Sequence, residues 1–589
     1  MTKALQNRDL LRSIGEYEDH QPVDARPIRE MRAVFECLGG DGHHLGPPRK
    51  KEPSSLSSAF GVPANRLVRT EKVGSGGYTS LAKKPLKTGF AQLDAYGAAR
   101  KEVAFKAVDG YYRRIKAERK KSAEKRGGSS SSGKADDADV AARDAVRCLE
   151  HAMVVVAGEK NVYRAIVAPS LVQSDDEDAP KMSPFYRKAC VAAYSHVVSA
   201  VVDRTMDIIE TVFLKEGGIG ISSGSDKDGE EKKRPLSVRF AASAASAGLR
   251  MLDGVRMLGP SLAKLCDMPV KEVDPDKPSK PSANDVSIAS TLCIAIHRTT
   301  VKNTAKTLEN LAKAIQDDPV HGSKHRPPDA SVASVSSDVV RAIRIISPFV
   351  SAYKSVTKRR ALPWDPNIGD EAGEMDAYVR FLILRLLNSL QGKALTYTKD
   401  VEDEGGQAKS NMFMINNSFY LLEQLVTKSK KERNRNDDGE YYQLDQKWFH
   451  GKVNTILESE KGKYLATWEN INANLTSVDS NGLEYQKNKN ILSLESGRLF
   501  KERFKGFIEE FEHMYAIHNA LAVIDVGLRR ELQSQVKKVF LLRYQKFYEK
   551  YSRFRFSKKN QAEYLKYPPV KVDSMINCMY GGENDDEED

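Results

Sequence analysis

The sequence predicts an all-α protein whose helices pack antiparallel into bundles, and three observations support this fold class. Apolar residues recur at helical spacing over long stretches of the 589-residue chain. Polar segments rich in Gly and Pro separate these stretches, and no convincing run of alternating strand residues lies between them. Hydrophobic residues make up 40% of the chain and charged residues 29%, a balance typical of a chain that mostly folds.

Two consecutive segments near the C-terminal end show the helical pattern most clearly. Each carries apolar residues three or four positions apart, the spacing that places side chains along one face of a helix. The first set is Phe500, Phe504, Phe507, Phe511 and Met514. The second set is Leu528, Leu532, Val536, Phe540, Tyr544, Phe547 and Tyr551. Long helices joined by short loops pack side by side as antiparallel bundles.

An earlier helix is predicted to end just before Pro319, because proline commonly follows a helix end. Its apolar face contains Leu308, Leu311, Ala312 and Ile315. After a loop, Ser336, Ser337 or Asp338 is predicted to cap the next helix. The face of that next helix contains Val340, Ile343 and Ile346.

Two adjacent asparagines, Asn416 and Asn417, fall in the middle of another apolar segment. Buried amide side chains are almost always hydrogen-bonded. We therefore expect both asparagines to satisfy backbone groups of a neighbouring helix.

The charge distribution indicates an anionic partner. The formal net charge is +12 and the isoelectric point is about 9.1, which favours either nucleic acid or an anionic membrane surface. Eleven basic and only two acidic residues lie between Lys537 and Lys571. Each basic side chain near an anionic leaflet contributes about 1 kcal/mol, so five on one face contribute roughly 5 kcal/mol, enough for reversible docking. The aromatic residues interleaved in this segment have core spacing, which favours packing over base stacking.

Motifs for catalysis, metals and cofactors fail when tested. The Gly-rich segments lack the Lys-Ser/Thr of a phosphate-binding loop, and the eleven histidines form no HExxH pattern. The six cysteines show no metal-ligand or redox spacing. The sequence therefore predicts a protein that is not an enzyme, with no catalytic residue, no metal site and no cofactor.

The sequence also predicts a cytoplasmic protein whose membrane contact is peripheral. The N-terminal residues lack the apolar core of a signal peptide. No apolar run approaches the roughly 18 residues that a membrane span needs.

Five segments, in order and at matching separations, resemble the Exo-seventy subunit family of the exocyst (exocyst complex component seven). The longest identity is Lys501–Phe507, which reproduces the family's Lys-Glu-Arg-Phe-Lys-Gly-Phe. A Leu-Glu-x-x-Ala-x-x-Ile-x-x-Asp-Pro segment is matched by Leu308, Glu309, Ala312, Ile315, Asp318 and Pro319. The other three matches are Val332–Val339, Phe413–Leu422 with Asn416 and Asn417 kept, and Glu563–Tyr567. The resemblance is strong over residues 290–580 and thinner over 90–290.

The resemblance implies an elongated rod of stacked helical bundles that tethers secretory vesicles to the inner face of the plasma membrane in exocytosis. It also implies binding of phosphatidylinositol 4,5-bisphosphate through a C-terminal basic patch. Lys566 matches one of the family's lipid-contacting lysines, whereas the acid Glu563 replaces the other. Further candidate lipid-binding residues are Lys571, Lys558, Lys559, Arg555 and Arg553.

The expected partners are the other exocyst subunits, a Rho-family GTPase and anionic phosphoinositides of the plasma membrane, with no nucleic acid. Lys501 and Glu502 are candidate partner-binding residues, although a structural role in solvating the helix is the favoured interpretation. One alternative is a diverged paralogue that acts outside the exocyst, in autophagy or defence. The other is a basic nucleic-acid-binding helical protein.

Four regions follow from these patterns. Residues 1–89 are interpreted as an N-terminal region of short helices and a polar linker, a diverged or shortened form of the family's coiled-coil segment. Residues 90–285 are predicted to form the N-terminal helical bundles of the rod. Residues 286–580 are predicted to form the family's C-terminal helical domain with the basic membrane-binding end, and residues 581–589 an acidic tail.

Overall fold

The structure is all-α, which confirms the predicted fold class. This computed structural model describes residues 85–125, 133–167, 184–213, 236–266, 288–358 except 321, 323 and 324, 362–364, 375–399, 405–427, 446–477, 483–485, 492–557 and 559–581. Within these ranges there is no β-strand, and β features are limited to isolated bridge residues such as the pair Tyr485 and Leu492. The short helices predicted within residues 1–84, Lys558 and the acidic residues of the tail lie outside the described residues.

Fifteen α-helices follow one another through the described ranges. The first eight are α1 (Ala91–Lys125), α2 (Gly133–Ile166), α3 (Pro184–Thr211), α4 (Val238–Cys266), α5 (Ile288–Gln316), α6 (Ser334–Ile346), α7 (Val350–Thr357) and α8 (Met375–Tyr397). The others are α9 (Gly406–Leu422), α10 (Gln446–Thr467), α11 (Leu494–Asn519), α12 (Val526–Val536), α13 (Leu542–Tyr551), α14 (Gln561–Tyr564) and α15 (Pro569–Asn577). No helix in these ranges combines the length and the apolar character that crossing a membrane requires.

Packing divides the chain into two compact units that do not follow chain order. Unit 1 contains α1–α3, α4 from Phe240 onward, α5 up to Leu311, and α7. Unit 2 contains α6, α8–α15 and the last part of α5. The domain boundaries drawn from the sequence at residues 89, 285 and 580 stay predictions.

A buried ion pair lies in the core of unit 1, where α1, α2 and α3 pack together. Arg100 on α1 donates two hydrogen bonds to Glu159 on α2, at 2.6 Å from Nη2 to Oε1 and 3.0 Å from Nε to Oε2. Both side chains are 0% exposed. Two charges removed from water in this way depend on each other, because either one alone would remain unneutralised in an apolar core.

The two apolar stripes predicted in the C-terminal segments are confirmed, since every member of both is buried. The second stripe runs through α12, a π turn at Lys537–Leu541 and α13. From Leu528 to Tyr544 its members recur every four residues, and each such step overshoots one α-helical turn by about 40°. A π turn contains more residues per turn than an α-helix. It therefore brings Phe540 and Tyr544 back onto the buried face.

The two asparagines of α9 are hydrogen-bonded, as predicted, but their backbone partners in other elements lie in the loops before α6 and α12 rather than in a neighbouring helix. Asn416 Nδ2 donates to the carbonyl oxygens of Ala330 and Ala522, each at 2.8 Å. Asn417 Oδ1 accepts from the backbone N–H of Ala333 at 3.0 Å and from the Ser336 hydroxyl at 2.7 Å. The backbone groups that they satisfy therefore belong mainly to loop residues beside a helix rather than to a helix interior.

The predicted cap of α6 is wrong. The N-cap residue is Ala333, which offers no side-chain hydrogen bond, and Ser336, Ser337 and Asp338 lie inside the helix. Asn417 Oδ1 accepts from the backbone N–H of this N-cap residue, the donor that a Glu or Gln at the third helical position serves in a capping box. The sequence could not indicate this, because the capping residue is 84 positions away.

Replacing Asn417 with leucine is expected to lower the free energy of unfolding by about 2–3 kcal/mol. The substitution leaves the Ala333 N–H and the Ser336 hydroxyl buried without their acceptor, and each unsatisfied group costs about 1–3 kcal/mol. Urea denaturation followed by circular dichroism measures the change. The control is Asn388→Leu, which changes an exposed asparagine of α8 and is expected to alter stability by less than about 0.5 kcal/mol. An equal loss in both variants would contradict the capping role.

The Asp-Pro pair that ends the family-like segment of α5 anchors a buried lysine. Lys393 of α8 is 0% exposed, and its Nζ donates to Asp318 Oδ2 at 2.7 Å and also to the Pro319 carbonyl. His325 Nδ1 lies 3.2 Å from the same carboxylate oxygen. The predicted face of this helix is confirmed, since all four of its apolar residues are buried. Asp318 and Pro319 thus have a structural role that the sequence pattern did not reveal.

A buried polar network holds the chain end beside α10 and α11. The hydroxyl oxygens of Tyr464 and Tyr580 are 2.6 Å apart, and Tyr464 Oη lies 2.6 Å from His518 Nδ1. Burial lowers the pKa of His518 to about 3, so this imidazole is neutral at physiological pH. The network packs the residues that follow α15 against the core of unit 2.

Candidate anion-binding surface

A line of cations lies along the outer face of α13. Arg543, Lys546 and Lys550 are separated by three and four residues, and all three are exposed. Their spacing places them on one side of the helix, while the apolar stripe faces the core. The burial of one face therefore directs the basic residues toward solvent.

The loop that follows α13 continues this basic surface. Its backbone is fixed, because Phe556 stacks on Phe504 with ring centroids 5.5 Å apart and the Leu492 N–H donates to the Arg555 carbonyl at 3.1 Å. Arg553, Arg555 and Lys559 all project exposed side chains from this loop. Three of the predicted lipid-binding residues therefore belong to one anchored loop.

Lys566 and Lys571, the other two described members of the predicted set, converge on one aromatic ring. Their Nζ atoms lie 5.0 and 4.8 Å from the ring centroid of Tyr567. Tyr567 is held in place because its carbonyl accepts a hydrogen bond from the Tyr544 hydroxyl at 2.5 Å. Cations over an aromatic face are attracted by its quadrupole. The ring therefore keeps both ammonium groups close to the start of α15.

Glu512 of α11 is an acidic neighbour that the sequence analysis missed. Its Oε1 accepts from Lys566 Nζ at 2.5 Å and from the Tyr567 hydroxyl at 2.6 Å. The hydrogen bond from Lys566 holds the pKa of Glu512 below its usual value, and the same bond raises the pKa of Lys566. Lys566, the family-matched lysine, is therefore already paired within the protein.

Most of the other cations have no such partner. Lys537 is paired with Asp573 at 2.6 Å. The remaining eight are exposed and make no ion pair with any residue that the structure describes. They are Lys538, Arg543, Lys546, Lys550, Arg553, Arg555, Lys559 and Lys571. We call these eight residues, together with Lys566, the basic surface.

The aromatic residues of the same segment pack in the core, as predicted. Phe547, Tyr551 and Phe556 are buried in a cluster with Phe500 and Phe504. Tyr548 and Phe554 are partly buried against the same cluster. Base stacking requires an accessible aromatic face, and the packing of these rings favours attraction by charge over stacking at this surface.

The best-matched motif of α11 is mainly structural. Phe504 and Phe507 are buried, and a Cβ at Gly506 would lie 2.5 Å from Asn474 Oδ1. Glu502 forms an exposed ion pair with Arg498 at 2.9 Å on its own helix, and Lys501 is half-buried. A partner-binding role for Lys501 and Glu502 stays a prediction.

The cations of α13 belong to the predicted cluster of positive charge but were not among the predicted lipid-binding residues. The signal was present in the sequence, because Arg543, Lys546 and Lys550 alternate with the buried Tyr544, Phe547 and Tyr551.

No group of three or more His, Cys, Asp or Glu residues in the described ranges is arranged to hold a metal ion. The fold and this surface define a class of protein: an all-α protein that presents a basic surface near its C-terminal end.

Comparison with known proteins identifies the family. The family model for the C-terminal part of the Exo70 exocyst complex subunit matches residues 247–578. Since this match covers more than half of the 589 residues, the chain belongs to the Exo70 family. The resemblance predicted from five short segments is thereby confirmed, and it extends further toward the N-terminus than the segments themselves.

Curated relatives include plant, animal and fungal proteins. "Exocyst complex component EXO70A3" of Arabidopsis thaliana is 24% identical over 256 residues, which are 44% of this chain and 39% of that protein. "Exocyst complex component 7" of Drosophila melanogaster is 23% identical over 288 residues, which are 47% of this chain and 39% of that protein. The human protein of the same name is 24% identical over 292 residues, which are 47% of this chain and 35% of that protein. The matches thus span about two fifths of the relatives' own length.

Among solved structures, the crystal structure of the Saccharomyces cerevisiae exocyst component Exo70p is similar. It is 12% identical with a TM-score of 0.41, covering 98% of this chain and 93% of that chain.

Proposed function

We propose that this chain is a non-catalytic exocyst subunit that tethers secretory vesicles to the inner face of the plasma membrane. Membership of the Exo70 family supports the exocyst role. The observation that carries the membrane role is the set of eight exposed cations without an ion-pair partner among the described residues. Unpaired cations near an anionic leaflet each contribute about 1 kcal/mol to binding. The protein binds phosphatidylinositol 4,5-bisphosphate through this surface.

Two kinds of protein partner belong to the same proposal. The relatives are named components of the exocyst complex, so other exocyst subunits are the expected binding partners, together with a Rho-family GTPase. In the diverged-paralogue alternative, the protein keeps the basic surface but does not assemble with the other exocyst subunits. Copurification of the expressed chain with the other exocyst subunits distinguishes the two, since only the exocyst role predicts a stoichiometric assembly.

The membrane role is tested by sedimentation of the purified chain with liposomes. One set contains phosphatidylinositol 4,5-bisphosphate, and the other contains phosphatidylserine at matched total charge. We expect more protein to pellet with the phosphoinositide, because its headgroup concentrates several charges where the basic surface is clustered. Binding should weaken as salt shortens the Debye length from roughly 10 Å at 0.1 M to about 3 Å at 1 M.

Two results would overturn the proposal. Failure to pellet with either lipid rules out the membrane role. Equal pelleting with both lipids rules out a phosphoinositide site and leaves only a general attraction to anionic surfaces. Steeply salt-dependent binding to DNA or RNA without any lipid binding would favour the nucleic-acid alternative.

Replacing Glu512 with glutamine is expected to strengthen binding to the phosphoinositide liposomes roughly fivefold, the effect of one unit of charge near the leaflet. The substitution removes the internal partner of Lys566 and frees its ammonium group for the headgroup. Titration of liposomes against fixed protein measures the affinity. Glu509→Gln is the control, because Glu509 pairs with Lys505 on the exposed side of the same helix. If Glu512→Gln binds no better than Glu509→Gln, Lys566 does not contribute in the way proposed.

A further inference from the structure

Two large apolar side chains are exposed within the basic surface. Val570 is 81% exposed and Leu542 is 60% exposed. A single exposed apolar residue is ordinary on a protein surface and needs no explanation. These two differ from that background in their neighbours, because cations of the basic surface flank each of them.

Val570 lies in the first turn of α15 on a rigid support. Pro568 and Pro569 precede it and restrict the backbone. Val572 and Ile576 bury the opposite side of the helix. The turn is therefore fixed before any partner binds, and Val570 points away from the core.

The cations near Val570 are the two lysines that converge on Tyr567, and the acidic Asp573 one turn farther along α15 is paired with Lys537. Lys571 follows Val570 directly in the chain, and its Nζ lies 4.8 Å from the Tyr567 ring centroid. Lys566 Nζ approaches the same ring at 5.0 Å. An anionic headgroup held by these lysines would bring the lipid acyl chains within reach of the valine side chain.

Leu542 has the same relation to the cations of its own helix. Lys538 and Lys546 lie four residues before and after it, and residues four apart are neighbours on a helix surface. Arg543 follows it directly, and all three cations are exposed. The buried Phe540 and Tyr544 occupy the other side of the helix. Leu542 is therefore an exposed apolar residue among these cations, with Gln545 and Glu549 farther along the same face of α13.

We infer that Val570 and Leu542 insert into the headgroup and upper acyl region of an anionic bilayer. This inference rests on the proposed membrane role and adds an apolar component to it. Exposed apolar side chains flanked by Lys and Arg are the combination with which interfacial helices bury their apolar face about 5–10 Å into a membrane. The occupant of this surface is a lipid bilayer, because a soluble anion would satisfy the cations but leave both apolar side chains in water.

The first test places a tryptophan at each position. Val570→Trp and Leu542→Trp are mixed with phosphatidylinositol 4,5-bisphosphate liposomes whose acyl chains carry bromine, a contact quencher of tryptophan fluorescence. The emission of the three native tryptophans is subtracted with wild-type protein. Leu494→Trp is the matched control, because Leu494 is 83% exposed but its helical neighbour Arg498 is already paired with Glu502.

The expected result is quenching and a blue shift at positions 570 and 542, with no change at 494. Absence of quenching at a position, in protein that cosediments with the liposomes, overturns insertion at that position while the proposed function stands. Failure of the wild type to cosediment with any liposome overturns both. Equal quenching at 494 overturns the assignment of insertion to the basic surface.

The second test measures the contribution to affinity. Val570→Ser and Leu542→Ser are each expected to weaken liposome binding roughly threefold to tenfold, in line with the apolar area lost from the bilayer. Leu494→Ser should leave it unchanged. The loss should persist at high salt, because apolar burial is not screened whereas the attraction of the cations is. Unchanged affinity in both serine variants would overturn the inference.

Discussion

Changing Arg553, Arg555, Lys559 and Lys571 to alanine is expected to weaken binding to phosphatidylinositol 4,5-bisphosphate liposomes by roughly three orders of magnitude. Each cation near the leaflet contributes about 1 kcal/mol, so four contribute about 4 kcal/mol, and each 1.4 kcal/mol is about tenfold in affinity. All four side chains are exposed and make no ion pair among the described residues. Their removal therefore leaves no buried group unpaired, and the fold should be retained.

The control removes the same amount of charge elsewhere. Lys116, Lys121, Lys188 and Lys302 are exposed lysines of unit 1. Their replacement by alanine lowers the net charge equally and is expected to change the affinity by less than about threefold, because none of the four belongs to the basic surface that is proposed to dock on the leaflet. Liposome titration measures both variants, and circular dichroism confirms that both are folded. Equal losses would show that overall charge rather than the basic surface drives binding.

The Arg100→Ala variant is expected to lower the free energy of unfolding by about 3–5 kcal/mol. The substitution leaves the Glu159 carboxylate, which is 0% exposed, without its cation in the core of unit 1. Breaking a buried pair by removing one partner costs about this amount because the remaining charge has lost its compensation. Urea denaturation of the full-length chain measures the shift of the transition that includes unit 1.

Two further variants separate charge compensation from loss of side-chain volume. The double variant Arg100→Met/Glu159→Leu replaces both charged side chains with apolar groups of similar size. It is expected to recover most of the stability that Arg100→Ala loses. Lys106→Ala breaks an exposed pair with Glu102 on the same helix and should cost less than about 0.5 kcal/mol. If the double variant is as unstable as Arg100→Ala, packing around Arg100 rather than its charge stabilises unit 1.

The helical faces were predictable from the sequence because burial follows a local periodicity. The stripe from Phe500 to Met514 is buried throughout, and the cations of α13 occupy the positions between buried residues of the same helix. The concentration of positive charge between Lys537 and Lys571 was equally visible. A repeating pattern along one helix fixes which side is apolar whatever that helix packs against.

Partners distant in the chain were not predictable. Asn417 accepts a hydrogen bond from Ala333, which lies 84 residues earlier. The buried Lys393 pairs with Asp318, 75 residues earlier. Glu512 pairs with Lys566, 54 residues later. None of these pairs follows from propensity or spacing, because each depends on which helices pack together. The cap predicted at Ser336–Asp338 was wrong because α6 begins earlier, at Ser334, with Ala333 as its N-cap.

The sequence by itself determined the all-α class, the family and the location of the positive charge, because periodicity, short motifs and composition are properties of the chain. The tertiary structure decided which of those charges are available. It neutralises Lys566 with Glu512 and Lys537 with Asp573, leaves Lys571 and Arg555 without an ion-pair partner among the described residues, and exposes Val570 between lysines. Whether a charged side chain is paired depends on its neighbours in the folded structure, because an ion pair forms only within about 4 Å, whatever the separation along the chain.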